Sequence, residues 1–145
     1  MMDSEFVFSE AQDINGSGQT IVSTNVVDTG AYVDHKNNTL SQQIMSGKMC
    51  LNCVVEDADL LAAVDGCALT IRLYDDTDTT PTTGGRQILE FPLTVDTPSN
   101  YPDGTKLFSL PLPAMPLSQY LGVSYQIATQ VLSTGKVTTW IGPAI

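Results

Sequence analysis

Two runs that alternate apolar with small polar residues, near the end of the chain, constrain its fold most. Residues 120–128 form the first run, residues 136–141 form the second, and a turn containing Thr134-Gly135 separates them. Successive side chains of a strand point to opposite faces, so each run has one face that can be buried. The apolar or small residues of those faces are Leu121, Val123, Tyr125 and Ile127 in the first run, and Val137, Thr139 and Ile141 in the second. We predict a β-hairpin with one buried face.

Further runs with strand-like composition recur along the whole chain at short intervals. Turn dipeptides such as Asn15-Gly16, Asp65-Gly66 and Gly84-Gly85 fall between them. The predicted strands are residues 6–8, 19–27, 48–55, 68–74, 87–94, 106–112, 122–128 and 136–141. About eight short strands with such turns are typical of an all-β sandwich or barrel. The 145 residues fit a single domain, 1–145, in which residues 1–10 are a possible N-terminal arm.

The net charge of the chain argues against one class of partner. Sixteen acidic side chains against six basic ones give a net charge of −10, and the six cations are scattered singly. A phosphate backbone is bound by clustered cations, so we expect no nucleic acid partner.

No apolar window is long enough to span a bilayer, and the first residues are acidic where a signal peptide would be basic. We expect that the protein is made in the cytoplasm and does not associate with a membrane.

Cys50 and Cys53 form the sharpest chemical motif, because a C-x-x-C pair can hold zinc or act in redox chemistry. On a strand, however, positions three apart point to opposite faces, so the two thiols would not meet. With Cys67 the chain has an odd number of cysteines, which a cytosol would keep reduced. We therefore predict three free thiols and no metal site or cofactor.

Other chemical motifs are weak. Residues 75–78 resemble a calcium loop only loosely, because the segment that follows lacks spaced acidic ligands, so we interpret residues 75–85 as a solvated surface loop that could hold an incidental ion. His35 is the only histidine, and no G-x-S-x-G motif occurs. We expect no enzymatic activity.

Aromatic side chains are the first candidates for contacts with a partner. By alternation Thr138 and Trp140 lie on the face opposite Val137, and Phe6 and Phe8 lie in the first strand or in an arm. The candidate partner-binding residues are Phe6, Phe8, Tyr32, Thr138 and Trp140. Each of them could equally be part of the core.

Five blocks of sequence, in their order along the chain, carry a resemblance to a known family. They are FVFSEAQDI, TIVSTNVVDTG, LTIRLYDD, FSLPLP and YLGVSYQIATQVLSTGKVTTWI, and together they cover most of the chain. The sequence resembles the capsid cement, or decoration, proteins of short-tailed bacteriophages, and in particular the Bordetella phage type of cement protein.

The resemblance implies a fold, a function and partners. The family fold is a jelly-roll, an antiparallel β-sandwich of two packed sheets, which agrees with about eight predicted strands. The implied function is that of a structural virion protein on the outer capsid surface, where it bridges subunits of the major capsid protein and stabilises the DNA-filled head. The implied assembly is a homodimer as the first choice, with a homotrimer as the second choice. The alternative from another class is a carbohydrate- or receptor-binding β-sandwich module of a phage.

Overall fold

The structure is a computed structural model that describes residues 6–16, 18–30, 32–33, 39–40, 42–44, 49–56, 62–63, 66–95, 101–129 and 131–145. Every regular element of this part of the chain is a β-strand, which confirms the all-β prediction. The strands are β1 Val7–Asp13, β2 Gln19–Val22, β3 Val27–Asp28, β4 Tyr32–Val33, β5 Thr39–Leu40, β6 Gln42–Ile44, β7 Met49–Val55, β8 Ala62–Ala63, β9 Cys67–Asp76, β10 Arg86–Val95, β11 Lys106–Pro111, β12 Pro116–Ser118, β13 Tyr120–Ala128, β14 Leu132–Thr134 and β15 Lys136–Pro143.

Two antiparallel sheets form a β-sandwich. The four-stranded sheet has the order β1-β15-β7-β11; the five-stranded sheet has the order β10-β9-β13-β2, with β3 also on β13. The eight main strands in chain order are β1, β2, β7, β9, β10, β11, β13 and β15. The first pairs with the eighth, the second with the seventh, the third with the sixth and the fourth with the fifth. This is the pairing of one long antiparallel ribbon folded double, whose strands are then divided between two facing sheets.

The predicted hairpin between β13 and β15 is wrong. The strand β13 pairs with β2, β3 and β9, whereas β15 pairs with β1 and β7, so the two lie in different sheets. Their predicted buried faces are nevertheless correct, and these faces meet across the core, where the Tyr125 hydroxyl donates a hydrogen bond of 2.8 Å to Thr139 Oγ1. Alternation along a strand determines which face is apolar, but it does not identify the neighbouring strand.

The core fills the space between the sheets. On β9 and β13 the inward-facing residues are almost fully buried; Leu69, Leu73 and Val123 have no exposed surface. The four-stranded sheet contributes Leu51, Cys53 and further residues to the same cluster. Every second residue of β9 is buried, which is the period of two of a strand with one face in the core.

The two long sides of the sandwich are closed by different contacts. On one side Phe91 of β10 packs on Phe108 of β11, with ring centroids 4.6 Å apart. On the other side the segment between β2 and β3 crosses to β1, where the Asn25 N–H donates to the Phe8 carbonyl at 2.9 Å. The predicted strand 19–27 is therefore interrupted: Ser23 Oγ accepts a hydrogen bond from the N–H of Val123 and replaces the missing ladder partner.

Parts of other predictions fall outside the described residues. Of the possible N-terminal arm, residues 1–5 lie outside, and residues 7–10 belong to β1, which pairs with β15 of the same chain. His35 also lies outside. No helix long and apolar enough to cross a membrane occurs in the part of the chain that the structure describes.

Candidate interaction surfaces

Two of the five candidate partner-binding residues, Phe8 and Thr138, are buried within the chain. Phe8 is fully buried in the core cluster. Thr138 lies on the outer face as predicted, yet it also has no exposed surface. Its Oγ1 accepts the Ala11 N–H at 2.9 Å and donates to Glu56 Oε2. Ala11 has a positive φ of 45° within an irregular stretch of β1, and this irregularity brings the edge strand over Thr138.

The other candidates lie at different places. Phe6 is half-buried and packs against the core. Trp140 is half-buried on the outer face of the four-stranded sheet, above Gly142, where an added Cβ would come within 3.2 Å of the indole. Tyr32 pairs with Leu40 in the β4–β5 ladder, and its side chain lies outside the described part. Of the four candidates whose side chains are described, Phe6 and Phe8 pack with the core, whereas Thr138 and Trp140 lie on the outer face of the four-stranded sheet.

The outer face of the four-stranded sheet is covered in part by the chain itself. Asn52 is fully buried there; its Nδ2 donates to the Pro143 carbonyl at 3.0 Å, and its Oδ1 accepts from Ser109 Oγ at 2.6 Å. The N–H of Ile145 in turn donates to Ser109 Oγ at 3.4 Å. These contacts hold residues 143–145 over the strands and leave Trp140 as the large aromatic side chain that remains partly open on this face.

The outer face of the five-stranded sheet is more open and carries a group of linked polar side chains, the Arg72 cluster, which consists of Arg72, Gln87, Glu90 and Gln126. Arg72 Nε donates to Glu90 Oε2 at 3.0 Å, and Arg72 Nη1 donates to Gln126 Oε1 at 2.6 Å. Gln87 Nε2 donates to the same Glu90 oxygen at 3.1 Å. The hydrogen bonds from Arg72 and then from Gln87 lower the pKa of Glu90, so this carboxylate is ionised at neutral pH.

Residues 77–80 of the loop after β9 are exposed, as the sequence predicts, but both ends of the loop are fixed. Asp75 is 2% exposed, and Arg86 binds both of its carboxylate oxygens, with Nε at 3.0 Å and Nη2 at 2.6 Å. The Ser118 N–H donates to Asp75 Oδ2 as well, at 2.8 Å. In the middle of the loop Pro81 is buried on Gly122 of β13; a Cβ there would lie 2.7 Å from the proline Cγ. An ordered loop thus stands on one end of the five-stranded sheet.

Several carboxylate oxygens that could bind an ion at residues 75–78 already accept hydrogen bonds within the chain. Both carboxylate oxygens of Asp75 are occupied by Arg86, and Asp76 Oδ1 accepts from the N–H of Asp78 at 3.3 Å. Among the residues that the structure describes, no three His, Cys, Asp or Glu side chains converge as a metal site would require.

The edge strands carry features that hinder pairing with a further strand. Pro92 interrupts the row of N–H donors in β10, and β11 begins at Lys106 and ends at Pro111. In the four-stranded sheet the edge strand β1 has two register shifts, and in the five-stranded sheet β2 is only four residues long. Proline, lysine, irregular register and short length are devices that natural sheets use against edge-to-edge association. Association with other proteins is thereby directed to faces and loops.

A chain of hydrogen bonds crosses the core and links the two sheets. The Tyr125 hydroxyl lies 2.8 Å from Ser9 Oγ and 2.8 Å from Thr139 Oγ1. Ser9 donates onward to Gln12 Oε1 at 2.5 Å, and Thr139 donates to Cys53 Sγ at 3.4 Å. We name these five residues the Tyr125 chain. Sequence alternation indicated that Tyr125 and Thr139 are buried, but only the facing of the two sheets brings their hydroxyls together.

The three cysteines are free and buried, as predicted. Cys53 faces the core and Cys50 does not, as the strand pattern indicated. Burial raises the pKa of the Cys53 thiol from 9.0 to about 12, although its hydrogen bond with Thr139 acts in the opposite direction. Desolvation also raises the pKa of Cys67, whose thiol contacts the Ala128 carbonyl. The thiols of Cys53 and Cys67 are therefore protonated at neutral pH and are poor nucleophiles or metal ligands.

The sequence matches no protein-family model and no curated protein.

Proposed function

We propose that this chain is a structural protein of a phage virion, a cement protein on the outer capsid surface that bridges subunits of the major capsid protein and stabilises the DNA-filled head. The observation that carries the proposal is the set of hindered edges in β1, β2, β10 and β11. A protein held in many copies on one shell is at high local concentration, where open sheet edges would promote uncontrolled strand pairing. Hindered edges allow dense display without polymerisation.

We also infer that the β-sandwich is a jelly-roll. The pairing of first with eighth, second with seventh, third with sixth and fourth with fifth main strands supports this topology. The ends of such a folded ribbon meet, so β1 and β15 are neighbours and both are paired within the sheet. A cement protein resists outward pressure, and a sandwich in which a buried polar chain links both sheets is suited to transmit force without shearing.

Binding would rest on several weak contacts made at once. The oligomer we propose first is a homodimer, and the second choice is a homotrimer. When such an oligomer engages several capsid subunits, the later contacts become intramolecular, so modest interfaces together give a stable attachment. Since the edges are hindered, we expect the contacts to come from faces and loops. Trp140 and Phe6 are the predicted contact residues that remain at least partly open in the described chain.

Binding to isolated capsids tests the proposal. Purified protein is mixed with expanded and unexpanded phage heads that lack a decoration protein; we expect it to co-sediment with heads and to raise the temperature at which they release DNA. Trp140→Ala should weaken binding, whereas Val131→Ala, at an exposed valine, is the matched control. Absence of binding to both head forms would refute the proposal.

The alternative, a carbohydrate- or receptor-binding module, is favoured by one observation. The Arg72 cluster presents fixed polar groups on an open sheet face, with Arg72 and Glu90 side chains 23% and 43% exposed. This feature is independent of capsid binding, and both activities can exist in one protein.

A further inference from the structure

We propose that the outer face of the five-stranded sheet binds a neutral saccharide through the Arg72 cluster. The cluster spans three neighbouring strands, with Glu90 on β10, Arg72 on β9 and Gln126 on β13. Glu90 is the register partner of Arg72, and Gln126, the register partner of Thr70 two residues away, lies diagonally from Arg72 on the other side. The polar groups therefore form a row across the sheet, and they are held in place by the backbone of regular strands.

The hydrogen bonds within the row leave a defined set of groups for a ligand. Glu90 Oε2 accepts from both Arg72 and Gln87, and Arg72 uses Nε and Nη1 for Glu90 and Gln126. The atoms of the row without a partner among the described residues are Glu90 Oε1, Arg72 Nη2 and Gln126 Nε2. They are one charged acceptor flanked by two donors. A sugar hydroxyl can accept from a guanidinium or amide while it donates to a carboxylate, so two adjacent hydroxyls match this set.

The charge of the face selects a neutral ligand. The formal charges of Arg72 and Glu90 cancel, whereas the whole chain has a net charge of −10. A polyanion would be repelled by the chain as a whole. A polycation would find only one carboxylate in the row, already paired with arginine. A neutral ligand with hydroxyl groups is not repelled by the charge of the chain and does not need additional carboxylates.

Neighbouring residues give the row the shape of a site. Tyr74 lies two positions from Arg72 on the same face of β9 and is half-buried, so it can offer an aromatic surface to the C–H side of a sugar ring. Pro81 and Thr82 stand over Gly122, the register partner of Tyr74, and bound the face at that end.

The experiment uses the full chain and defined probes. An array of immobilised neutral oligosaccharides ending in glucose, galactose, mannose or N-acetylglucosamine is screened first. The best binder is then titrated, as its methyl glycoside, to roughly 10 mM while backbone amide signals are followed by NMR. We expect shifts at Arg72, Tyr74, Glu90 and Gln126. No binding on the array, or shifts confined to other parts of the chain, would overturn the proposal.

Substitutions separate the site from nonspecific effects. Glu90→Gln keeps the side-chain shape but removes the charged acceptor, and we expect about a 10-fold to 100-fold loss of affinity, as for hydrogen bonds to charged groups. Glu10→Gln is the matched control because Glu10 is exposed on β1, in the other sheet. Gln126→Ala is a second test in case Glu90→Gln unfolds. Unchanged affinity in a folded Glu90→Gln or Gln126→Ala protein would overturn the proposal, and neither result bears on capsid binding.

Discussion

Removal of the Tyr125 hydroxyl tests whether the polar chain through the core stabilises the sandwich. In Tyr125→Phe the ring stays in the core, but the hydroxyl is lost, together with the 2.8 Å hydrogen bond that it donates to Thr139 and its 2.8 Å contact with Ser9 Oγ. The two former partners are not left unsatisfied, because Ser9 still donates to Gln12 and Thr139 still donates to Cys53. The change therefore isolates the link between the sheets.

The expected magnitude follows from one lost hydrogen bond. The hydroxyl hydrogens of Ser9, Tyr125 and Thr139 go to Gln12, Thr139 and Cys53 respectively, which leaves no hydrogen between Ser9 and Tyr125. A typical internal hydrogen bond contributes about 0.5 to 1.5 kcal/mol, so the free energy of unfolding should fall by about 1 kcal/mol. The entropy of unfolding scales with length at roughly 2.1 cal/mol/K per residue, which for 145 residues converts 1 kcal/mol into a drop of roughly 3 °C in Tm.

Urea unfolding followed by fluorescence of Trp140, the only tryptophan, measures this change. A lower midpoint at an unchanged slope would mean lost stability rather than an altered unfolded state. Tyr101→Phe is the matched control: its hydroxyl donates to the Thr94 carbonyl at 3.3 Å in an exposed position, and its removal should change stability by less than about 0.5 kcal/mol. Equal stability of Tyr125→Phe and the wild type would refute the stabilising role of the chain.

Three further predictions concern pH, the loop and the edges. Because burial raises the folded-state pKa of Cys53 from 9.0 to about 12 and raises that of Tyr125, stability should be complete below about pH 9 and fall as pH rises towards 12, since deprotonation favours the unfolded chain. Urea midpoints across this range in wild type and Cys53→Ala measure it, and equal pH slopes in the two proteins would contradict the part assigned to the thiol. Asp75→Asn should lower the free energy of unfolding by about 2 kcal/mol, because the paired carboxylate is buried; Asp103→Asn, at an exposed position, should be neutral in the same denaturation experiment, and the loop interpretation fails if the two variants behave alike. Pro92→Val should restore a donor to the edge of β10 and increase self-association in light scattering relative to Pro113→Val, which lies outside the strands; no increase would show that proline does not guard this edge.

The strands could be predicted well because each carries its own period of two. The predicted span 68–74 lies inside β9 and the predicted span 87–94 lies inside β10, since apolar alternation and flanking glycines delimit them locally. The predicted span 19–27 is too long, because β2 ends at Val22 and the Ser23 hydroxyl accepts the N–H of Val123, a side-chain hydrogen bond that no residue pattern indicates. For the candidate contacts, alternation assigned Thr138 to the outer face correctly but could not indicate that Glu56 and Ala11 would bury it.

The Arg72 cluster illustrates the same limit. Alternation along β9 places Arg72 on the outward face of its strand, together with Thr70 and Tyr74. Its partners Glu90 and Gln126 are 18 and 54 residues away in the chain. The only local signal was the Gly84-Gly85 turn, which lies between the strands of Arg72 and Glu90, but the register that aligns the two residues depends on where that turn begins.

The sequence by itself determined the β class, the approximate strands, the buried face of each and the isolation of the cysteines, because all of these follow from neighbours one to three positions apart. The tertiary structure alone decided which strands pair, and it divided β13 and β15 between two sheets where local alternation predicted a hairpin. Side-chain alternation repeats identically on every strand and so cannot select a partner. That choice is made by how the whole ribbon encloses one core, and the Tyr125 chain and the Arg72 cluster both result from it.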